Sequence, residues 1–485
     1  MELTQKFSIY PTKEQEDVSW ILSEKVRLLY NFALGHRNHI YETTGASMTY
    51  TQQQDDLPDI KKKYPEYEWV YSKVLQMTLH SLDDDFHSFT SKRKKGDKTA
   101  QKPGYKGRDY FNTMTWNQSG FKIEDGYIIL QHYYNDGKKT YIPLKFKIPE
   151  DLMKNTDIDL QLIYDFGKIK QITLYKEEPN RRKNISDDYY LSIVYDYPTG
   201  YMKDNGLYQA IDLGINKTVT GVNMEAKFFE INNPRKDLYW NPIIDSIQSV
   251  RDHCKKTVEK VKGIVDIEVR DKKGRLVKDD NGQIKTVEKE IDRKFTEVSN
   301  RWDRLNDIKK KCHKKCSNQI SDDLHKWSDM MVKNTKSNTI IVGKLHVKKM
   351  SQSGVKIQIK DKDSGDKKII KVKSKKLNRS TQNQGYISKF VGFLTYKAEK
   401  IGKRVIEISE VNTTKRCYVC GKMHDMAISD RIMKCDCGNV IDRDRNSAIN
   451  IMINFLLENN LNKNLKRFIQ NLGRESLLIP IWIKI

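Results

Sequence analysis

The sequence predicts a multidomain α/β protein, and three patterns carry that expectation. From Gly206 onward, apolar strand-like runs alternate with long amphipathic helices. Short alternating runs crowd residues 113–197, as in a small barrel. A paired-cysteine knuckle interrupts the C-terminal part, between a strand ending at Glu410 and a helix opening near Asp444. A chain of 485 residues has room for roughly two to four domains. Its 88 Lys and Arg against 64 Asp and Glu, a net charge of +24, favour a polyanionic partner over a membrane. No apolar run reaches the about 18 residues of a spanning helix. The start, MELTQKFSIYPTKEQ, lacks the basic-then-apolar layout of a secretory signal. Seven cysteines, four of them clustered, fit a reducing cytoplasm and a metal site better than disulfides.

Taken in order, Leu3, Phe7 and Ile9 alternate as a strand that stops at Pro11. Thr12 then caps a helix running to about Tyr41, with Glu14 and Glu16 in its first turn. A polar break holding Pro58 and Pro65 separates it from a second helix, with Val70, Val74, Met77, Leu82 and Phe86 on its apolar face. The basic stretch SKRKKGDKTAQKPGYKGRDYF follows. There Lys102, Tyr105, Lys106 and Arg108 suit phosphate and base contacts, although an ordinary solvated loop reads the same way. The runs YIILQHYY, YIPLKFKIP, LQLIYDF, KQITLYK and YYLSIVYDY are the expected barrel strands, making residues 11–104 a helical insert. YQAIDLGINKTVTGV reads as strand, turn, strand, with Asp212 inside an apolar run, where an acid is costly unless paired or metal-bound. Residues 235–335 read as charged helix broken by a surface hairpin at DKKGRLVKDDNGQIKTV. Cys312, His313 and Cys316 there fit a solvated helix face better than a metal site. NTIIVGKLHV is a buried strand, VKIQIKDKDSGDKKIIKVKSKK a second exposed hairpin, and Tyr386 to Ile401 an amphipathic helix.

The knuckle reads C-x2-C, fourteen residues, C-x-C, through Cys417, Cys420, Cys435 and Cys437. Paired thiolates of this kind suit tetrahedral Zn2+, and His424 is a candidate substitute ligand. Asp212 in a strand, Glu410 at a strand end and Asp444 at a helix start are the hard oxygen ligands that a two-Mg2+ nuclease site needs. Spacing leaves open whether the three meet.

Several segments together resemble the transposon-encoded TnpB nucleases and the miniature type V-F CRISPR effectors. They are FSIYPTKEQ…LYNFALGHRNHIY, GYKGRDYFNTMTW, IDLGIN, IIVGKLHVKKM, QNQGYISKFVGFLTYKAEKIGKRVIEISEVNTTKRCYVCG and DRDRNSAINI. The resemblance implies an RNase-H-like RuvC nuclease domain over 204–411 and 441–485, with a helical and hairpin insert at 235–335. It implies a zinc-binding, target-nucleic-acid module over 412–440, a wedge β-barrel over 1–10 and 105–203, and a helical recognition domain over 11–104. The implied activity is Mg2+-dependent cleavage of double-stranded DNA directed by a guide RNA, in a bacterial cytoplasm at the nucleoid. Family members differ between monomers and homodimers on one guide RNA. One departure matters: most members carry a catalytic glutamate where this strand reads Gly343. A branch with a rearranged site places it before a Tyr-Thr-Ser-Lys-like segment, which here is EVNTTK, so the role passes to Glu410. Glu407, by alternation, belongs to the other face of that strand. Arg431 resembles an arginine near the scissile phosphate. Gly343 keeps a rival open, a nuclease-inactive RNA-guided regulator of transcription. A metal-stapled RNA-binding protein without a DNA target is a second.

Overall fold

The structure, a computed structural model, describes residues 1–97, 99–133, 143–150, 164, 168–177, 189–268, 286–344, 354–360, 367–373, 386–426, 430–475, 477–481 and 483. The chain divides into two compact units, Met1–Pro198 and Thr199–Ile485.

In the first unit, strand β1 (Glu2–Ile9) turns Phe7 and Ile9 into the core. A reciprocal capping box between Thr12 and Gln15 then opens helix α1 (Lys13–Thr44), which closes on Gly45 in the left-handed conformation, φ 73°. The expected polar break is helical instead: α2 (Tyr50–Asp55), α3 (Leu57–Lys63) and a 3-10 turn (Pro65–Trp69) lead to α4 (Ser72–Lys94). Pro65 is the first residue of its turn and Pro58 the second of α3, first-turn positions where proline's missing N–H is no loss. The strands β2 (Met114–Asn117), β3 (Phe121–Glu124), β4 (Tyr127–Leu130), β5 (Leu144–Lys147), β6 (Ile169–Lys176) and β7 (Tyr189–Asp196) follow. Where a barrel is expected, the described strands form two antiparallel sheets, ordered β1-β7-β6-β2 and β3-β4-β5. The run at 161–167 lies, apart from Tyr164, outside the described residues. β1 pairs with β7 along its whole length, Glu2 opposite Asp196 and Ile9 opposite Tyr189, so the helices form an excursion between paired strands.

In the second unit, β8 (Tyr208–Leu213), β9 (Lys217–Asn223) and β10 (Phe228–Asn232) form an antiparallel meander. Helix α5 (Lys236–His253) comes next, then the long antiparallel ribbon of β11 (Lys255–Glu268) and β12 (Thr286–Val298), then α6 (Asn300–Asn334). The ribbon reaches well into sequence expected to be helical, and most of the expected hairpin lies outside the described residues. β13 (Thr339–Lys344), a hairpin of β14 (Gly354–Lys360) and β15 (Lys367–Lys373), α7 (Tyr386–Lys400) and β16 (Arg404–Ser409) follow. The chain then forms β17 (Ile432–Lys434), β18 (Val440–Asp442), α8 (Arg443–Glu458) and α9 (Asn462–Arg474).

β13 and β16 extend the meander as parallel strands, so the central sheet runs β10-β9-β8-β13-β16. Alternation along its strands feeds two cores. Ala210, Ile341 and Ile408 pack with α8 and α9 on one face, while Ile211, Ile340 and Val342 pack with α6 and α7 on the other. Cys316, expected on a solvated face, belongs to this second core with Ile320 and Leu324, because a free thiol packs as a small apolar group.

Phe390 on α7 is fully buried in that core. Phe390→Ala should lower stability by about 3–5 kcal/mol, as a chemical-denaturation midpoint would register.

Candidate active site and metal centre

Every residue of β8 is buried, and Asp212 is its only carboxylate. Asp212 shares a face with Ala210, toward α8. In the neighbouring parallel strand, Val342 pairs with Ile211, so Gly343 falls level with Asp212. Gly343 in turn pairs with Ile408, and Glu410 lies two residues beyond Ile408, on the same face. A Cβ on Gly343 would stand 3.0 Å from the Glu410 Oε2 and 2.9 Å from the Ile451 Cδ1. The Glu410 carboxylate thus fills the space that a side chain at 343 would enter. Glu407 is exposed, on the opposite face of β16.

Asp444 sits in the first turn of α8. The helix is capped by Asp442, whose Oδ1 accepts from the amides of Asp444 at 2.9 Å and Arg445 at 3.2 Å. The other Asp442 oxygen takes the Lys217 ammonium at 3.1 Å. Lys217 also meets Glu230 at 3.0 Å, and Glu230 meets Arg445 at 2.8 Å, which closes a ring of alternating charge around the helix start. Burial works against ionisation of Asp442, but Lys217 and the two amides outweigh it and hold the carboxyl below its usual range. From the next turn, Ser447 donates to Asp212 Oδ1 at 3.0 Å. Asp442, Lys217 and Ser447 escape the sequence reading, although an aspartate two residues before a helix-start acid is itself an N-cap signal.

Burial pushes the Asp212 carboxyl well up, and the charges of Asp444 and Glu410 push it further, against the Ser447 hydrogen bond and Arg443. Burial likewise raises Glu410 to about 7. Mutually repelling, partly desolvated carboxylates at one sheet end are a donor set for a hard divalent cation. Their oxygens do not all lie within 4.8 Å of one another; among the described residues, only the four cysteines form so tight a group.

Those cysteines meet across two knuckles, Cys417 with Cys437 at 3.7 Å and Cys420 with Cys435 at 3.5 Å. Tetrahedral bonds of about 2.3 Å would place zinc-bound sulfurs roughly 3.8 Å apart, so the cluster fits that ion. Each knuckle closes with a glycine amide, Gly421 onto the Cys417 carbonyl and Gly438 onto that of Cys435, both at 2.9 Å. Asn439 donates to the Cys417 sulfur at 3.3 Å. His424, the candidate substitute ligand, stands outside the group.

Arg431 is exposed at the foot of β17, and its carbonyl accepts from Arg443 N at 2.8 Å, one residue before Asp444. In the basic segment, Lys102, Tyr105 and Arg108 are exposed. Lys106 is turned inward instead. Its ammonium lies 3.8 Å from the Tyr30 ring centre and donates to Asn112 at 2.6 Å, and burial lowers it to about 8.

Two family models match parts of the chain, a Cas12f1-like TNB domain over residues 388–451 and a helix-turn-helix domain over residues 1–46. The second match covers β1 and the whole of α1. A TnpB-like protein of Acanthamoeba polyphaga mimivirus is 32% identical over 155 residues, 32% of this chain and 26% of that protein. The match therefore spans about a quarter of that relative's length. A Streptomyces pristinaespiralis protein named "Putative RNA-guided DNA endonuclease" is 22% identical over 452 residues, 92% of this chain and 88% of the other. A solved Cas12f1 complex with sgRNA and target DNA shares the fold at TM-score 0.53 and 13% identity, covering 91% of this chain and 83% of that one.

The contacts at Gly343 set a stability test. Gly343→Val should cost about 1–3 kcal/mol by overpacking against Glu410 and Ile451. The same substitution in an Ile451→Ala, Glu410→Ala background should cost markedly less, as thermal unfolding of the four chains would show.

Proposed function

We propose that this chain is a member of the TnpB and type V-F family and an RNA-guided DNA endonuclease cutting at Asp212, Glu410 and Asp444, a reading supported by the matched family models and relatives. The observation that carries the reading is the Glu410 carboxylate, which fills the place of a side chain at Gly343 and bears electrostatically on Asp212. A meander extended by two parallel strands supports an RNase-H-like RuvC domain over 204–411 and 441–485. In this reading residues 412–440 are the target-nucleic-acid module held by structural zinc. Residues 1–10 and 105–203 form the wedge, and 11–104 the recognition domain. Guide-RNA pairing reads the target, while the protein reads a short flanking motif and the shape of the backbone. The net charge of +24 suits both polyanions.

Asp212, Glu410 and Asp444 would hold two Mg2+ ions, which supply water activation and leaving-oxygen stabilisation when bound. The chain's own part is placement. The ring of Lys217, Glu230, Asp442 and Arg445 fixes the helix start that carries Asp444, and Ser447 orients Asp212. Arg431, exposed and bonded through its backbone to the residue before Asp444, would meet a phosphate in this reading.

Purified with its RNA, the protein should cut a guide-matched duplex in Mg2+. Asp212→Ala, Glu410→Ala and Asp444→Ala should each abolish cutting with target binding intact, because the carboxylates act as one unit. Glu407→Ala should cut nearly as wild type. Gly343 favours a second reading, a nuclease-inactive regulator. Wild type that binds its target yet cuts in neither Mg2+ nor Mn2+ establishes that reading in place of the first.

Elemental analysis should find one zinc per chain, lost from the Cys417→Ser, Cys435→Ser double variant together with part of its thermal stability. Well-folded wild-type protein without zinc would overturn the assignment.

A further inference from the structure

Glu410 lies beyond the last residue of β16, so the sheet's own ladder does not hold it. Its carbonyl accepts from the Thr413 amide at 3.2 Å and from the Thr413 hydroxyl at 2.9 Å. Thr413, 1% exposed, is gripped in turn from α8. Its carbonyl accepts from the side-chain amides of Asn446 at 3.2 Å and Asn450 at 2.9 Å. The same two amides reach the Arg416 carbonyl at 2.8 and 2.7 Å. Asn446 also accepts from the Tyr418 amide at 3.1 Å.

Both asparagines are fully buried and stand four residues, about one turn, apart. Their four amide hydrogens match the four lone pairs of two carbonyls, so each carbonyl keeps one donor if either asparagine is lost. A buried amide is costly to place, and two aimed at one short loop fix its path rather than merely fill a core. The loop runs from Glu410 at one end to Cys417 at the other. Ser447, between the asparagines, lies 3.0 Å from both Asp212 Oδ1 and the Thr413 hydroxyl.

We propose that Asn446 and Asn450, acting through Thr413, are positioning residues that set the Glu410 carboxylate against Asp212. The inference rests on the metal-binding role given above to these two acids. One rigid helical turn then sets the spacing of acids that come from separate parts of the chain.

The test uses full-length, zinc-loaded chain without RNA, with Mn2+ as the probe and binding followed by electron paramagnetic resonance. Cleavage by the RNA complex and zinc content are measured on the same preparations. Thr413→Val keeps the shape of the side chain and removes the hydroxyl, and Asn450→Ala removes one grip. Thr413→Val should weaken Mn2+ binding by about 10–100-fold, and Asn450→Ala, which leaves each carbonyl one donor, by a smaller but measurable factor, with zinc and target binding retained in both. Thr413→Ser should recover most of the affinity. Mn2+ binding and cleavage equal to wild type in both variants overturn the proposal. So does loss of zinc and of thermal stability in step with the loss of Mn2+ binding, which would make the grip merely structural. If the wild-type chain binds no Mn2+, the reading of the acids fails, and this inference falls with it.

Discussion

An ionisable group in the middle of a sheet covered on both faces is the constraint around which the second unit is arranged. Asp212 cannot reach water by lengthening its side chain, and the α6/α7 side of the sheet packs as an apolar core. On the α8 side the chain supplies a hydroxyl from Ser447, the charge of Arg443 and the amide-rich start of a helix, while the charges of Glu410 and Asp444 add to the repulsion. A helix N-terminus favours negative charge, and this one also carries its own cap and a ring of charged residues closed through the Arg445 backbone amide. The acids therefore collect at one end of the sheet as a consequence of where the unit can tolerate them.

The parts of this arrangement legible in the sequence are those whose meaning is local. An acid inside an apolar strand, a strand ending at a glutamate and two cysteine pairs each declare themselves within a few residues. Ser447, Asn446 and Asn450 do not. They are polar interruptions in an apolar helix, and their partners lie some thirty to more than two hundred residues away. Lys217 is equally silent, one lysine among many until β9 and β18 bring it beside Asp442. The misread stretches have physical reasons of their own. Pro58 and Pro65 look like breakers but occupy first-turn positions. The stretch from Lys255 to Glu268 is rich in lysine and glutamate, and Val258, Val261 and Ile264 recur at a spacing that reads as helix, yet it forms a strand. Cys316 belongs to a stripe with Ile320 and Leu324 at intervals of four, a helical core face concealed by its lysine neighbours.

The cysteine knuckle and Glu410 share a backbone segment. Six residues separate Glu410 from Cys417, and Thr413 and Arg416 among them are held by the same side chains. The two are thus joined by a short loop tied down by hydrogen bonds at Thr413 and Arg416.

The crowding at Gly343 bears on how such a site can change over evolutionary time. One volume beside Asp212 admits one carboxylate, delivered either from the middle strand or from the loop after the outer one. A lineage moving the acid between these positions passes through a sequence with both, strained by the contact, or with neither, lacking the acid. The two positions are thus epistatic by geometry: the fitness of a residue at 343 has no value of its own until the residue at 410 is specified. A glycine that looks like a missing active-site acid is then the complement of an acid placed elsewhere, and residue-by-residue comparison along one strand would misjudge it.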